Sequence, residues 1–202
     1  MSDFKRMRVQ GVELKWPRLD QTYRYDPQFK KEDGTRGKNV PCEPGEDRAS
    51  WSVVMNLDEK RGKALYAKCE EHFKARKPDE KFGDVWGYKE IQGDSLSMQF
   101  SVAKKGKTTN GKINEAPEVL DAQGAPLENR AIFSGSTGDV YFKIFPAFNP
   151  SAGSEGISFI LDKIVVTNPV YGGDDYDDLD DGATPAGSKP GASDDYDDEI
   201  PF

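Results

Sequence analysis

The chain has 202 residues, of which 35% are hydrophobic and 32% charged, with a net charge of −8. This length suits one domain with an appendage, and because neither an apolar run of ~18 residues nor a signal-peptide stretch in MSDFKRMRVQGVELKW is present, we expect a soluble, cytoplasmic protein. The chain has two cysteines, Cys42 and Cys69, and one histidine. These small numbers argue against a disulfide framework and against a structural zinc site.

The first predicted element is a bulged strand over residues 5–16. Met7 and Val9 alternate with polar residues, and the apolar set resumes after Gly11 at Val12, Leu14 and Trp16. A phase shift of one residue in an alternating pattern is typical of a β-bulge.

Further strands are predicted in short segments separated by Gly, Pro, Asn and Asp. They cover residues 22–26, 50–57, 95–104, 131–135, 139–148 and 156–167. Many short strands with turn residues between them favour a barrel or a sandwich over alternating strands and helices.

One helix is predicted to interrupt the strands after Asp58, which can serve as its N-cap. Leu65, Cys69 and Phe73 recur at intervals of four and form its apolar stripe, and Pro78 closes the element. His72 lies beside the stripe, where we expect a packed or solvated residue and not a ligand.

Two long polar loops remain. Residues 30–49 mix both signs of charge, whereas residues 104–112 carry four lysines and no acid, namely Lys104, Lys105, Lys107 and Lys112. Four like charges in nine residues repel one another unless something anionic is near. The second loop is therefore either a solvated hairpin tip or a phosphate contact.

The strand DVYFKIFP alternates between an apolar face and an aromatic and basic face. Val140, Phe142 and Ile144 form the expected core face, and the other face presents Tyr141, Lys143 and Phe145. Rings at ~7 Å spacing around a cation form a surface on which bases can stack while a phosphate is neutralised. The alternative is that helix and loops cover this side as well.

Similar combinations of rings and cations occur in two other places. Trp86 and Tyr88 precede Lys89, and Tyr23 and Tyr25 flank Arg24 on one strand face. Three further rings lie in apolar phase with their strands and are interpreted as packing residues, namely Trp16, Trp51 and Phe100.

No enzyme motif is present, and no cofactor is expected. Asp139 and Asp162 could hold magnesium for a nuclease, but chance placement explains two carboxylates among the 25 acids of residues 1–173 equally well.

Residues 174–202 form an acidic tail, which holds eleven acids and one base. Its net charge of −10 leaves +2 for residues 1–173, because the whole chain carries −8. Self-repulsion and a lack of apolar residues predict disorder.

The tip combines five acids with an apolar end, in the order Asp194, Asp195, Asp197, Asp198, Glu199, Ile200, Pro201 and Phe202. A solubility tail would explain the acids, whereas a short apolar end indicates docking into a specific pocket.

The ending DDYDDEIPF resembles the acidic C-terminal tip of bacterial and phage single-stranded-DNA-binding proteins. Separately, IFSGSTGDVYFKIFPAFNPSAGSEGISFILDKIVVT resembles the C-terminal half of a phage family of OB-fold single-stranded-DNA-binding proteins. The resemblance implies binding of single strands with little sequence preference in phage replication, recombination or repair, with the tail contacting replication enzymes.

We therefore expect a mainly β, OB-like barrel with one inserted helix over residues 1–173, followed by a disordered tail over residues 174–202. Such a protein would coat single-stranded DNA without catalysis, as a monomer or homodimer. Its tail would compete for the DNA groove and dock a polymerase, helicase or primase, in the host cytoplasm if the chain is phage-encoded. Two alternatives stay open: an acidic-tailed chaperone or inhibitor of basic proteins, and a metal-dependent nuclease.

Overall fold

A computed structural model describes residues 4–30, 36–93 and 95–172. The acidic tail and its predicted disorder, its tip residues and the boundary at residue 173 lie outside the described residues. In chain order the elements are β1 (Lys5–Lys30), β2 (Arg36–Cys42), β3 (Ser50–Asp58), α1 (Glu59–Arg76), β4 (Tyr88–Gln92), β5 (Leu96–Lys105), β6 (Glu118–Leu120), β7 (Thr137–Asn149) and β8 (Ser154–Asn168).

Five strands close into a barrel in the order β5, β3, β1, β7 and β8. The neighbours in this order are antiparallel, and a parallel contact between Ala103 and Ile160 joins β5 back to β8. β4 extends the sheet from β5, β2 pairs with the far end of β1, and β6 pairs in parallel with β8. The prediction of a mainly β barrel with one inserted helix is confirmed.

The long strand β1 pairs with three other strands, and its register shifts at irregular positions along its length. Its first part pairs with β7, and the register shifts between Val9 and Val12, where Gly11 has φ +54. The predicted bulge is confirmed, and Asp139 of β7 supports it by accepting a hydrogen bond of 2.8 Å from the Gly11 N–H. From Glu13 onward β1 pairs with β3, on both sides of a second irregularity near Trp16, which has φ +43. Its later part also pairs with β2.

The helix begins and packs as predicted. The Asp58 carboxylate accepts a hydrogen bond of 2.9 Å from the Arg61 N–H and so satisfies one of the free donors of the first turn. Leu65, Cys69 and Phe73 are buried against the barrel. His72 is also buried, at 7% exposure, so it is a packed residue.

The core fills the barrel interior and the space between the barrel and α1. Val140, Phe142 and Ile144 are buried, which confirms the core face predicted for β7. Phe100 and Trp51 are packing residues, as predicted, with 0% and 4% exposure.

Two predictions about strands and loops are wrong. Residues 131–135 form no strand: Ile132 makes an isolated bridge to Tyr171, and Ser134 and Gly135 form a turn in which Gly135 adopts φ +96. Residues 30–49 are not one loop, since β2 lies within them. β4 and β6 were not predicted because both are short and neither alternates clearly.

Candidate nucleic-acid interface

The outer surface of β1, β3 and β5 forms a face with small side chains along its centre. Cross-strand partners share one side of an antiparallel sheet, so the register places side chains in rows. The three rows are Lys15, Val54 and Ser101; Arg18, Ser52 and Ala103; and Tyr23, Ser50 and Lys105. We call these nine residues the β1–β3–β5 face. The central residues are small, but Ser52 and Ala103 are each only 6% exposed and Ser101 lies against Gly87. The accessible contacts of this face therefore come from the basic and aromatic residues at its border.

Next to this face, β1 and β2 form a two-stranded ribbon that carries Tyr25. The ring of Tyr25 covers Gly37, which has φ +90, and a Cβ at Gly37 would lie 1.9 Å from the Tyr25 Oη. The hydroxyl end of Tyr25 therefore lies against the ribbon at Gly37, which fixes the position of a ring on which a base can stack. Tyr23, two residues earlier on the same side, donates from its hydroxyl to Asp20 at 3.2 Å.

Arg24 lies on the opposite side of the ribbon from the two tyrosines, so the prediction that all three share one strand face is wrong. Thr22, which is in phase with Arg24, is buried and donates to the Cys42 carbonyl at 2.6 Å. The Arg24 Nε lies 3.3 Å from a Glu46 oxygen. Alternation of side chains along a strand explains this separation.

The basic segment 104–112 ends β5 and continues as a closed turn. Lys107 and Ile113 form an isolated antiparallel β-bridge, and the Thr108 N–H donates to the Lys112 carbonyl at 2.8 Å. Lys107 donates to the Asp47 carboxylate and to the Gly45 carbonyl at 3.1 Å. The hydrogen bond from Lys107 lowers the pKa of Asp47.

The lysines of this segment are spread over two sides. Lys105 belongs to the β1–β3–β5 face, whereas the half-buried Lys104 is the register partner of the buried Trp51. Lys112 is exposed at the end of the turn.

Tyr141, Lys143 and Phe145 lie together on the outer surface of β7, half-buried, with Arg8 of β1 and Lys163 of β8 beside them. We call these five residues the β7 face. The Tyr141 ring is flanked by Arg8 at 5.1 Å and by Lys163 at 4.5 Å from its centroid. These cation–π contacts occupy the ring that a base would need.

The other members of the β7 face also have partners. Lys143 donates to Asp162 at 3.1 Å, and Phe145 packs on the exposed Phe4 with ring centroids 5.4 Å apart. Arg8 donates to Asp139 at 2.6 Å. Burial raises the pKa of Asp139, but the hydrogen bonds from Arg8 and Gly11 outweigh burial and lower it overall.

Trp86 and Tyr88 serve packing. The Trp86 ring lies on Gly156, where a Cβ would meet it at 2.6 Å, and its Nε1 donates to the Ala147 carbonyl at 2.9 Å. Tyr88 packs between Tyr66 and the core ring Phe100, with centroids 5.0 and 5.1 Å apart. Burial, together with the hydrogen bond to Glu90, raises the Tyr88 pKa. Lys89 is exposed on β4, next to Tyr88.

The structure thus separates the predicted residues into groups. Tyr23 and Lys105 belong to the β1–β3–β5 face and Tyr25 lies beside it on the ribbon, whereas Tyr141, Lys143 and Phe145 lie on the β7 face. Sequence reasoning missed Lys15, Arg18, Gly37 and the register partners of Tyr141. Arg6 and Arg8 alternate in the sequence, but Lys15 and Arg18 follow no such pattern, and the role of Gly37 depends on its pairing with β1.

Across the part of the chain that the structure describes, no three His, Cys, Asp or Glu side chains are grouped closely enough to hold a metal ion. None of the helical residues described forms a segment long and apolar enough to cross a membrane.

Comparison with solved structures gives high-probability matches to phage proteins. The single-stranded DNA-binding protein of bacteriophage Enc34, in a C-terminally truncated form, matches with a TM-score of 0.53 and 13% identity over 81% of this chain and 86% of that one. The same protein in complex with single-stranded DNA matches with a TM-score of 0.50 and 15% identity over 81% and 86% of the two chains. The single-stranded DNA-binding protein gp2.5 of bacteriophage T7 matches with a TM-score of 0.50 and 16% identity over 92% and 98%.

The barrel is OB-like. No protein-family model and no curated protein matches the chain, so at these identities the likeness concerns the fold. In OB folds the second and third barrel strands and the loop between the first and second strands are recurrent ligand surfaces. Here those parts are β3, β5 and the β1–β2 ribbon, the elements that form the β1–β3–β5 face and carry Tyr25.

Proposed function

We propose that this protein binds single-stranded DNA with little sequence preference and without catalysis or a cofactor. The observation that carries the proposal is the β1–β3–β5 face of the OB-like barrel, where the strand register brings Arg18, Tyr23 and Lys105 to one outer side, beside the Tyr25 ring at Gly37. The names of the Enc34 and T7 proteins support the same ligand.

The chemistry of the face suits a flexible strand. Arg18, Lys15 and Lys105 neutralise phosphates, and the resulting counterion release makes affinity fall steeply as salt rises. Tyr25 and Tyr23 offer ring surfaces to unpaired bases, and each stacked base contributes ~1–3 kcal/mol by alanine substitution. Every base has a stackable face, so recognition of this kind carries little sequence information.

The β7 face extends the binding surface in this proposal. Lys143, Arg8 and Lys163 attract phosphate, and Phe145 with Phe4 offers an exposed aromatic edge. Tyr141 contributes once a strand displaces one of its flanking cations. Arg24 and Lys107 meet phosphates beside the β1–β2 ribbon, and Lys89, Lys104 and Lys112 add long-range attraction. Trp86 and Tyr88 hold the fold together.

The biological role that fits is coating and protection of single strands during phage DNA replication, recombination and repair, in the cytoplasm of the host cell. The acidic tail, residues 174–202, competes for the cationic face when DNA is absent. Its tip docks a replication protein such as a polymerase, helicase or primase, through Ile200, Pro201, Phe202 and the preceding acids. The protein acts as a monomer or homodimer.

Fluorescence anisotropy with labelled oligo-dT tests the proposal directly. We expect the full-length protein to bind oligo-dT more tightly than duplex DNA, to bind more weakly at higher salt, and to bind at least as tightly after deletion of residues 174–202. The oligonucleotide is also incubated with magnesium and run on a denaturing gel. Equal affinity for duplex, absence of binding at low salt, or magnesium-dependent cleavage would each refute the proposed function.

A further inference from the structure

Between β2 and β3 the chain forms an acidic turn, Glu43–Pro44–Gly45–Glu46–Asp47, which packs against the basic segment 104–112. A Cβ at Gly106 would lie 2.3 Å from the Pro44 carbonyl oxygen, so the two backbones touch. The Gly106 N–H donates to the Ala49 carbonyl at 2.6 Å, and Gly45 lies against the Ile113 side chain. Backbone contacts therefore fix the acidic turn beside the lysines.

Two carboxylates of this turn hold two cations from different parts of the chain. Asp47 accepts from Lys107, which follows β5, and Glu46 lies 3.3 Å from Arg24 of β1. Glu46 also accepts the Glu43 N–H at 2.9 Å with its other oxygen, which orients its carboxylate. The anion that four neighbouring lysines require is thus supplied, in part, by the protein itself.

These ion pairs are exposed, and exposed pairs contribute little to stability. The Asp47 side chain is 91% exposed, so it has no packing role. A carboxylate and a phosphodiester oxygen accept the same hydrogen bonds from Arg and Lys. A strand that reaches Arg24 or Lys107 must therefore displace Glu46 or Asp47, and the acids remain nearby as repelling charges.

We infer that the acidic turn is an autoinhibitory contact, in which Glu46 and Asp47 occupy the positions of nucleic-acid phosphates on Arg24 and Lys107. The inference rests on the proposed function, since it concerns affinity for a polyanionic strand. It is independent of the acidic tail, because both acids lie within the folded domain. The turn weakens binding at low salt and so limits attachment to incidental anions.

The test compares two charge-matched double variants of the full-length chain. Glu46→Gln with Asp47→Asn removes both acids of the turn, and Glu71→Gln with Asp79→Asn removes two exposed acids on and after α1. Anisotropy with labelled oligo-dT is measured at low and at moderate salt, and thermal unfolding confirms that each variant is folded. Lys107→Gln is also made in the wild-type and in the Asp47→Asn background.

We expect the turn variant to bind about three- to tenfold more tightly than wild type at low salt, and the control variant to change by less than about twofold. The gain should shrink as salt rises. Loss of Lys107 should weaken binding more in the Asp47→Asn background, where its charge is no longer neutralised.

Two negative results have different meanings. Equal tightening by both double variants, or no change in either while wild type binds oligo-dT, would overturn the inference and leave the proposed function standing. Absence of binding by wild type and by all variants would refute the proposed function, and the inference with it.

Discussion

Substitution of Gly37 by alanine tests whether Tyr25 is a base-stacking platform held by the β1–β2 ribbon. A Cβ at this position would lie 1.9 Å from the Tyr25 Oη and 2.6 Å from its Cζ. Real Cβ contacts are never so short, so the ring must leave the ribbon backbone. Gly37 acts by positioning the Tyr25 ring, because its own atoms need not touch DNA.

The expected loss of affinity follows from the value of one stacked base. Stacking contributes ~1–3 kcal/mol, which corresponds to a roughly 5- to 150-fold weaker Kd at about 1.4 kcal/mol per tenfold. Alanine at positive φ also costs about 1–2 kcal/mol of folding stability. Gly124→Ala is the matched control, because Gly124 has φ +83 but nothing within 4 Å of its Cβ position.

The assay is anisotropy with labelled oligo-dT, combined with urea unfolding of each variant. Gly37→Ala should weaken both binding and stability, Gly124→Ala only stability, and Tyr25→Ala only binding, whereas Tyr25→Phe should keep near-normal affinity because the ring remains. If Gly37→Ala binds as tightly as Gly124→Ala while its stability falls, the assignment of Tyr25 as a platform is refuted.

Three other predictions concern salt, acid and the helix. Arg18→Gln together with Lys105→Gln should reduce the magnitude of the slope of log K against log salt by about 1.4 at most, because each phosphate contact on a single strand contributes ~0.7. Glu71→Gln is the control. An unchanged slope in the double variant would show that neither cation contacts phosphate. Asp139→Asn should destabilise the protein by ~1–3 kcal/mol near neutral pH through weakened bonds to Arg8 and Gly11. The folded-state pKa of Asp139 is below its ordinary value of 3.8, so its contribution to stability is present above that value and is lost as pH falls through the folded-state pKa. Urea unfolding across this range should show that the difference in unfolding free energy between wild type and variant shrinks in acid. A difference that does not depend on pH would contradict the assignment. Asp58→Ala should lower the unfolding free energy by ~1 kcal/mol because it removes the helix N-cap, whereas Asp58→Asn should lose much less because Asn can still cap. Equal losses in the two variants would exclude capping as the cause.

Local patterns in the sequence were sufficient for features that depend on near neighbours. Alternation along β7 separated the buried Val140, Phe142 and Ile144 from the outer residues, and the phase shift at Gly11 located the bulge. The Asp58 cap and the stripe at Leu65 were equally local. Steric and hydrogen-bonding rules within a few residues decide such features, so no knowledge of the fold was needed.

Segments whose structure depends on a remote partner were not predicted. β2 has a sequence rich in turn residues and is a strand because β1 pairs with it. Residues 131–135 have strand composition, but only Ile132 has a bridge partner, so the segment does not form a strand. Propensity is a weak guide when pairing over a long range decides the outcome.

The sequence by itself determined the mainly β class, the helix after Asp58 and the partition of charge between residues 1–173 and the acidic tail, because composition and periodicity are properties of the chain alone. Only the tertiary structure decided which rings are available to a ligand, since Tyr88 and Tyr25 differ in what packs against them and not in their type. It also brought Lys107 to Asp47, 60 residues away in sequence. Contacts of that range arise from barrel closure, which fixes loops from separate strands side by side.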